Sequence, residues 1–366
     1  MTRRARLACA FGAFAATVAM TAPAGASAQT SRSAREVYEA ACVACHGVDG
    51  RGGPALAADY PLIPPDFTDC AFSTREPATD WQVVARHGGP ARAFSPLMPA
   101  FGEALTENEL QLAVSHARSF CTDPAWPRGE LNFPRALVTT KAFPEDELVI
   151  TAVADGAAVS NKLVYEWRLG SRNQIELIAP IAFSERTPGD WTGGVGDLAF
   201  AFKRAVAHSV SRGTIVSAAA ELVVPTGSTE RGLGSGTTVV EPFVAIGQRL
   251  PARAFLQVQF GGAVPFDRDR PDEAFWRAVV GQQHALGRYQ RIFAPMVEIL
   301  GARELTSGAA VHWDAVPQVH VGLSTRQHIR LNVGVRVPVT EREGRPTQFM
   351  SYFLWEWFGG GLLTGW

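Results

Sequence analysis

The sequence predicts a multidomain chain in which a small all-α domain precedes an all-β domain, an antiparallel barrel of about 12 strands of the outer-membrane type. The first third carries helix-capping signals and helical spacing of apolar residues, whereas the rest carries short runs of alternating apolar and polar residues. At 366 residues the chain is too long for one small domain. Its formal net charge of -1 provides no broad basic field, so nucleic acid is not an expected partner.

The first 28 residues have the pattern of an export signal. Arginines at positions 3, 4 and 6 precede an apolar stretch from Leu7 to Ala22, and Ala26-Ser27-Ala28 offers a cleavage site. The apolar stretch is interrupted by Gly12 and Thr17, which makes it short for a transmembrane anchor. Residues 1–28 are therefore predicted to be a signal peptide that is removed on export.

A Cys-x-x-Cys-His motif at residues 42–46 is the strongest chemical signal in the chain. Cys42 and Cys45 share one helical face, so both thiols can reach the vinyl groups of one macrocycle, and His46 can offer its imidazole to the iron. This is the attachment pattern of c-type haem. A thioredoxin-like redox pair would need a βαβ context, and a zinc site would need a second pair of Cys or His residues. The sequence has neither feature. One haem c is the predicted cofactor.

The second axial ligand of the iron is predicted from the scarcity of methionine. The mature chain keeps three methionines, and Met98 is the one in the helical part. Pro96 and Pro99 flank Met98 and hold its backbone extended. A thioether opposite a histidine raises haem potential, which suits electron transfer. His87 and His116 are the alternative ligands.

Two further cysteines are available for a disulfide. Cys9 leaves with the signal and two cysteines belong to the haem motif, so Cys70 and Cys121 remain. An even remainder in an exported protein indicates a bridge, here between the segment after the haem motif and the end of the last helix. Two separate buried thiols are the alternative.

The helical part is predicted to span residues 29–123. Capping boxes begin helices at Ser33–Glu36 and Thr106–Glu109, and a further helix follows Thr79-Asp80. Because three helices joined by Pro- and Gly-rich loops bury little apolar surface, a bound haem would complete their core.

Together with the haem motif and the segment Met98-Pro99-Ala100-Phe101, this part resembles a class I mono-haem cytochrome c. The resemblance implies that Cys42 and Cys45 form thioethers to the haem. It also implies that His46 is the proximal and Met98 the distal ligand of the iron, and that the first and last helices cross at the haem edge.

After a linker at residues 124–145, residues 146–366 are predicted to form the barrel. Short turns alternate with longer loops, and an even strand number returns both ends to the periplasm. The strands of a soluble β-sandwich also have alternating apolar and polar residues. Large aromatic residues such as Trp167, Phe200 and Phe202, however, favour a barrel with a lipid-facing side. The strand centres are predicted near Val149, Val164, Leu177, Phe200, Ala219, Phe243, Val258, Val279, Pro295, Ala315, Val333 and Phe353.

The segments 194–203 and 222–228, GVGDLAFAFK and LVVPTGS, make the barrel part resemble the outer-membrane transporter-like family associated with meta-pathway phenol degradation. That resemblance implies a barrel of this size with a part in moving small apolar compounds. The tail Gly359–Trp366 extends past the last predicted strand, whereas such barrels usually end on an aromatic residue of the last strand itself. His312, Asp314 and His320 share one face of a strand, where lumen-filling hydrogen bonds are expected more than a cation.

Two functions follow from these patterns. The first is electron transfer by a haem domain tethered at the periplasmic side of an outer-membrane barrel, with a periplasmic redox protein and membrane lipid as partners. The alternative is an outer-membrane transporter or porin for small solutes, with the haem domain as plug, gate or sensor. An enzyme is not expected, because multi-haem peroxidases need a second haem and the sequence has one attachment motif.

Overall fold

The computed structural model describes residues 32–52, 64–187 and 189–357, so the predicted signal peptide and the tail Gly359–Trp366 lie outside the described residues. Within these ranges no helix is long and apolar enough to cross a membrane. The α-helices are α1 (Ala34–Ala41), α2 (Val43–His46), α3 (Cys70–Ser73), α4 (Ala78–His87) and α5 (Glu107–Ser119), and short 3-10 turns lie at Gly89–Arg92, Gly129–Leu131 and Pro251–Arg253.

Both predicted capping boxes are confirmed. The Ser33 hydroxyl accepts a hydrogen bond from the backbone N–H of Glu36, whose carboxylate accepts the Ser33 N–H in return. Thr106 and Glu109 begin α5 in the same way. Helices α1 and α5 then pack against each other around the buried ring of Tyr38.

In the described part of the chain, twelve long antiparallel strands close into a barrel, and the first strand pairs with the last to complete the ring. Two further short strands extend hairpins and were not predicted. All twelve predicted centres fall within long strands, which confirms the predicted architecture. The strands are β1 (Glu147–Ala154), β2 (Ala158–Leu169), β3 (Asn173–Thr187), β4 (Asp190–Val195), β5 (Leu198–Ser209), β6 (Thr214–Val224), β7 (Val239–Arg249), β8 (Ala254–Pro265), β9 (Glu273–Gln282), β10 (His284–Leu286), β11 (Arg291–Glu304), β12 (His312–Gly322), β13 (Ile329–Pro338) and β14 (Gln348–Glu356).

The two faces of the barrel differ as the alternation predicts. Trp167, Phe200 and Phe202 point outward and are each about half exposed, whereas Ser217 and Asn332 point inward and are fully buried. Apolar side chains therefore cover the outer wall, as in a barrel that faces lipid, whereas the lumen side carries buried polar side chains together with apolar ones.

The helical domain lies at the barrel end where β1 begins, which we call the proximal end. The Arg75 guanidinium pairs with Asp146 immediately before β1. His328 lies in the turn between β12 and β13, and its imidazole is 2.9 Å from a carboxylate oxygen of Glu76. Short turns predominate at this end.

The lumen is filled by residues 131–146, which we call the plug. Leu131, Phe133 and Phe143 of the plug share one apolar core with barrel residues such as Ile215 and Phe255. At its innermost point the backbone N–H groups of Val138 and Thr139 donate to the Glu298 carboxylate at 3.2 and 3.0 Å. The linker, and not the helical domain, therefore occupies the lumen.

Buried ion pairs fix the plug to the barrel wall. Arg135 donates to Glu147 at 2.6 Å and also to Glu166, and Lys141 donates to Glu145 at 2.6 Å and to Glu147 at 3.3 Å. All three carboxylates are at most 2% exposed. Because removing one partner leaves an uncompensated buried charge, loss of Arg135 or Lys141 would strongly destabilise the docked plug.

Candidate haem site

The two motif thiols and the motif histidine lie together where α1 ends and α2 begins. Cys42 ends α1, and its carbonyl accepts the backbone N–H groups of Cys45 at 3.2 Å and His46 at 2.9 Å, which starts the next turn. Cys42 and Cys45 are free, partly buried thiols. The local helical geometry thus presents both sulfurs and the imidazole from one turn, as the haem motif requires.

The His46 ring has the environment of a neutral metal ligand. It stacks on Phe67 with ring centroids 4.6 Å apart, and its Nδ1 atom is buried without a hydrogen-bond partner in the described residues. Burial lowers the pKa of His46, so the imidazole keeps a lone pair for coordination at neutral pH. Burial also raises the pKa of the Cys42 thiol to about 11, with a smaller contribution from Cys45.

An apolar cluster adjoins the motif. Tyr38, Phe67 and Ala117 form its buried centre, and Cys42 itself packs against it. Trp81 of α4 closes the cluster by contacting the Phe67 ring at 5.2 Å. Two thiols, an imidazole and an apolar wall are the donor set and surroundings that a c-type haem needs, so the residues present fit this group.

Met98 lies on the loop that follows α4. Its carbonyl accepts the Gly89 N–H at 3.0 Å, and the Phe101 N–H donates to Ala85 of α4 at 2.9 Å. Gly88 has a φ of +82°, and a Cβ at Gly89 would lie 2.2 Å from the Ser95 carbonyl oxygen. Glycine is therefore required at both positions for the Met98 segment to lie this close to the helix end.

The two alternative histidine ligands both make ring contacts, His87 with the barrel and His116 with the apolar cluster beside the motif. The His87 ring faces Tyr289, in the turn between β10 and β11, with centroids 5.8 Å apart. The His116 ring packs against Tyr38 at 4.9 Å and Phe120 at 5.2 Å. Met98 as the second iron ligand stays a prediction.

Cys70 and Cys121 are joined by a disulfide, with Cα atoms 5.1 Å apart. Cys70 begins α3, which is capped by the Asp69 side chain, and Cys121 follows α5. The bridge therefore ties the segment after the haem motif to the end of the last helix.

The proposed lumen cation site is not formed. Asp314 pairs with Arg336 and Arg345, and the His320 ring bonds the Tyr352 hydroxyl at 2.8 Å. The described residues contain no group of three His, Cys, Asp or Glu side chains that could hold a metal ion. Asp314 and His320 therefore fill the lumen through ion pairs and a hydrogen bond, as the sequence favoured, whereas His312 is exposed.

Sequence reasoning missed the role of the linker. Its signal was present, because residues 131–146 contain Leu131, two phenylalanines and the charges of Arg135, Lys141 and Glu145. A flexible linker is usually rich in Gly and Ser instead. This composition predicts a packed segment, although it does not say what the segment packs against.

Fold and donor set together define the class: a c-type cytochrome domain followed by a closed 12-stranded antiparallel barrel. Residues 29–116 match the family described as cytochrome C oxidase, cbb3-type, subunit III. No curated protein matches the chain.

Solved structures resemble the barrel in outline. A KdgM porin has 5% identity and a TM-score of 0.39, covering 57% of this chain and 98% of its own. An outer membrane channel from Pseudomonas putida F1 has 12% identity and a TM-score of 0.43, covering 61% and 99%. A NanC porin has 8% identity and a TM-score of 0.41, covering 58% and 99%. The resemblance to the meta-pathway transporter-like family stays a prediction.

Proposed function

We propose that the protein transfers electrons through one covalently bound haem c, held at the periplasmic side of an outer-membrane barrel. The observation that carries the proposal is the Cys-x-x-Cys-His turn of α2 beside an apolar cluster, in a segment that matches a c-type cytochrome family. The haem would supply a one-electron ferric–ferrous couple.

The chain's own residues have separate roles in this proposal. Cys42 and Cys45 hold the haem covalently, so it stays bound through repeated redox cycles. His46 and Met98 would hold the iron, and Phe67 would orient the imidazole, on which it stacks at 4.6 Å. If both protein ligands hold the iron, a substrate has no free coordination position there, which favours electron transfer over catalysis.

The membrane placement is part of the proposal. It is supported by the closed ladder of strands, which leaves no open edge, and by the apolar outer wall. Short turns mark the periplasmic end of outer-membrane barrels, and the helical domain lies at that end. A signal peptide at residues 1–28 would direct export. The expected partners are membrane lipid and a periplasmic redox protein.

Membrane fractions are run on a gel with and without prior heating, and the gel is stained for haem. This experiment tests haem attachment and location together. We expect a haem-stained band in the outer-membrane fraction whose mobility changes on heating, as folded barrels give. A Cys42→Ser, Cys45→Ser double variant should lose the stain and keep the heat shift. A colourless parent protein from cells competent in cytochrome maturation would refute the haem, and a soluble stained protein would refute the membrane placement.

The ligand Met98 has its own test. Met98→Leu should abolish the Met-to-iron charge-transfer absorption of the ferric protein and lower its reduction potential. Met296→Leu is the matched control, because Met296 lies in the lumen core and should leave the spectrum unchanged. A parent protein that lacks this absorption would contradict the assignment.

A channel is the second candidate function, and the barrel itself favours it. Because residues 131–146 fill the lumen, conduction requires that the plug leave, and a movement of the helical domain could withdraw it. Planar-bilayer recordings distinguish the two candidates. We expect no conductance from the parent protein, and steady currents from it would favour the channel.

A further inference from the structure

The loop between α4 and Met98 is held by the barrel as well as by its own domain. Within the domain, the Phe94 N–H donates to Gly89 at 2.9 Å and the Gly89 N–H donates to Met98 at 3.0 Å. The carbonyl of Ala93, in the middle of the loop, instead accepts a hydrogen bond from Arg326 of the β12–β13 turn at 3.0 Å. The Arg326 guanidinium also lies 5.0 Å above the Phe94 ring.

Arg92 joins the same loop to a second barrel turn. Its side chain is 4% exposed and donates through Nε to Asp80 at 3.0 Å. Its Nη1 atom donates to the carbonyl of Tyr289, between β10 and β11, at 2.7 Å. Asp80 in turn accepts from Gln327 at 3.0 Å. One buried guanidinium and one carboxylate therefore connect α4, the loop and two turns of the barrel.

We propose that these two barrel turns position Met98, so that the barrel supports the axial thioether of the iron. Arg92 and Arg326 are the positioning residues, and neither acts on the iron directly. The inference rests on the proposed function, because it needs a haem with Met98 as a ligand. If the loop were released from the turns, Met98 would leave the iron more often. Its place at the iron would then be open to other ligands.

Exogenous imidazole measures this opening. It competes with Met98 for the ferric iron, so its apparent affinity rises with the fraction of open loop. Arg326→Ala removes one hydrogen bond and one cation–π contact, and we expect imidazole to bind about tenfold more tightly to that variant. Arg326→Lys keeps the charge above Phe94 and should restore part of the difference. The ferric Met-to-iron absorption should weaken in the same order.

Arg212→Ala is the matched control, since Arg212 is an exposed residue of another proximal turn. Haem content and the heat shift verify that each variant is folded. If Arg326→Ala does not fold, Arg92→Lys tests the second turn by the same readouts. A parent without the Met-to-iron absorption overturns the ligand assignment and this inference with it. A parent with the absorption, beside a folded variant of unchanged imidazole affinity, overturns the coupling alone.

Discussion

Replacing Arg135 by alanine tests how the plug is held. The Arg135 side chain reaches Glu147 and Glu166, both of which are fully excluded from solvent. Glu147 would keep Lys141 at 3.3 Å after the replacement. Among the described residues, the hydrogen bond that Glu166 would keep is the one donated by the Gln174 amide at 2.8 Å. The Arg135→Ala variant therefore leaves the buried Glu166 carboxylate without the cation that hydrogen-bonds it, although the charge of Lys203 remains nearby.

The expected cost follows from that burial. Breaking a buried ion pair by removing one partner costs about 3–5 kcal/mol. Because Glu147 keeps Lys141, we expect the lower end, about 3 kcal/mol. Since about 1.4 kcal/mol is a factor of ten, the population of released plug should rise about a hundredfold.

Thiol labelling measures the released population. Thr139 is 1% exposed at the inner end of the plug, so the thiol introduced by Thr139→Cys reacts only when the plug opens. The four other cysteines of the mature chain are bonded in the proposed haem-loaded form. Adding Arg135→Ala should speed labelling by a membrane-impermeant reagent about a hundredfold. Arg345→Ala is the control, because Arg345 pairs with Asp314 and not with the plug. Equal labelling rates for all three proteins would refute a plug held by buried charge.

Three further results are expected. The Cys70→Ser, Cys121→Ser double variant should lower the free energy of unfolding of the helical domain by about 2–5 kcal/mol, because the bridge closes a long loop; urea titration of the haem absorption measures it. Burial alone would raise the pKa of Glu130, but the hydrogen bond and charge of Arg118 and the N–H of Ala78 bring that pKa below its ordinary value of 4.5. The contribution of ionised Glu130 to the stability of the fold is therefore complete above pH 4.5 and is lost as pH falls below it. The melting temperatures of the parent and of Glu130→Gln should accordingly differ at pH 7 and converge in acid. Phe202→Arg, on the outer wall, should cost up to about 2–4 kcal/mol and reduce the heat-modifiable fraction in membranes, whereas Glu343→Arg in an exposed loop should not.

The strands were predictable because their signal is local. Apolar residues outside and polar residues inside produce a period of two, and this period identified every long strand of the barrel. The segment 184–194 was not predicted as a strand, but β3 continues to Thr187 and pairs with β4 there. Its glycines and charges hide the alternation, since a hairpin tip beyond the apolar band needs no lipid-facing side chains.

The haem motif was predictable for the same reason, since its chemistry depends on residues three and four apart in one helical turn. The plug was not. The partner of the Leu137 N–H is Gln318, 181 residues away, and that of Thr139 is Glu298, 159 residues away. Contacts at such separations leave no periodic trace in either segment. The link between Arg326 and the Met98 loop was missed because it also joins distant parts of the chain, 233 residues apart.

A redox titration of the purified full-length protein, followed by carbon monoxide addition, tests whether the iron is an electron-transfer centre held by two protein ligands. We expect haem absorption to follow a single reversible one-electron curve, and the ferrous protein to bind carbon monoxide slowly because Met98 must first leave. Immediate carbon monoxide binding, or rapid turnover of hydrogen peroxide, would show an open iron position and contradict an electron-transfer centre ligated by His46 and Met98.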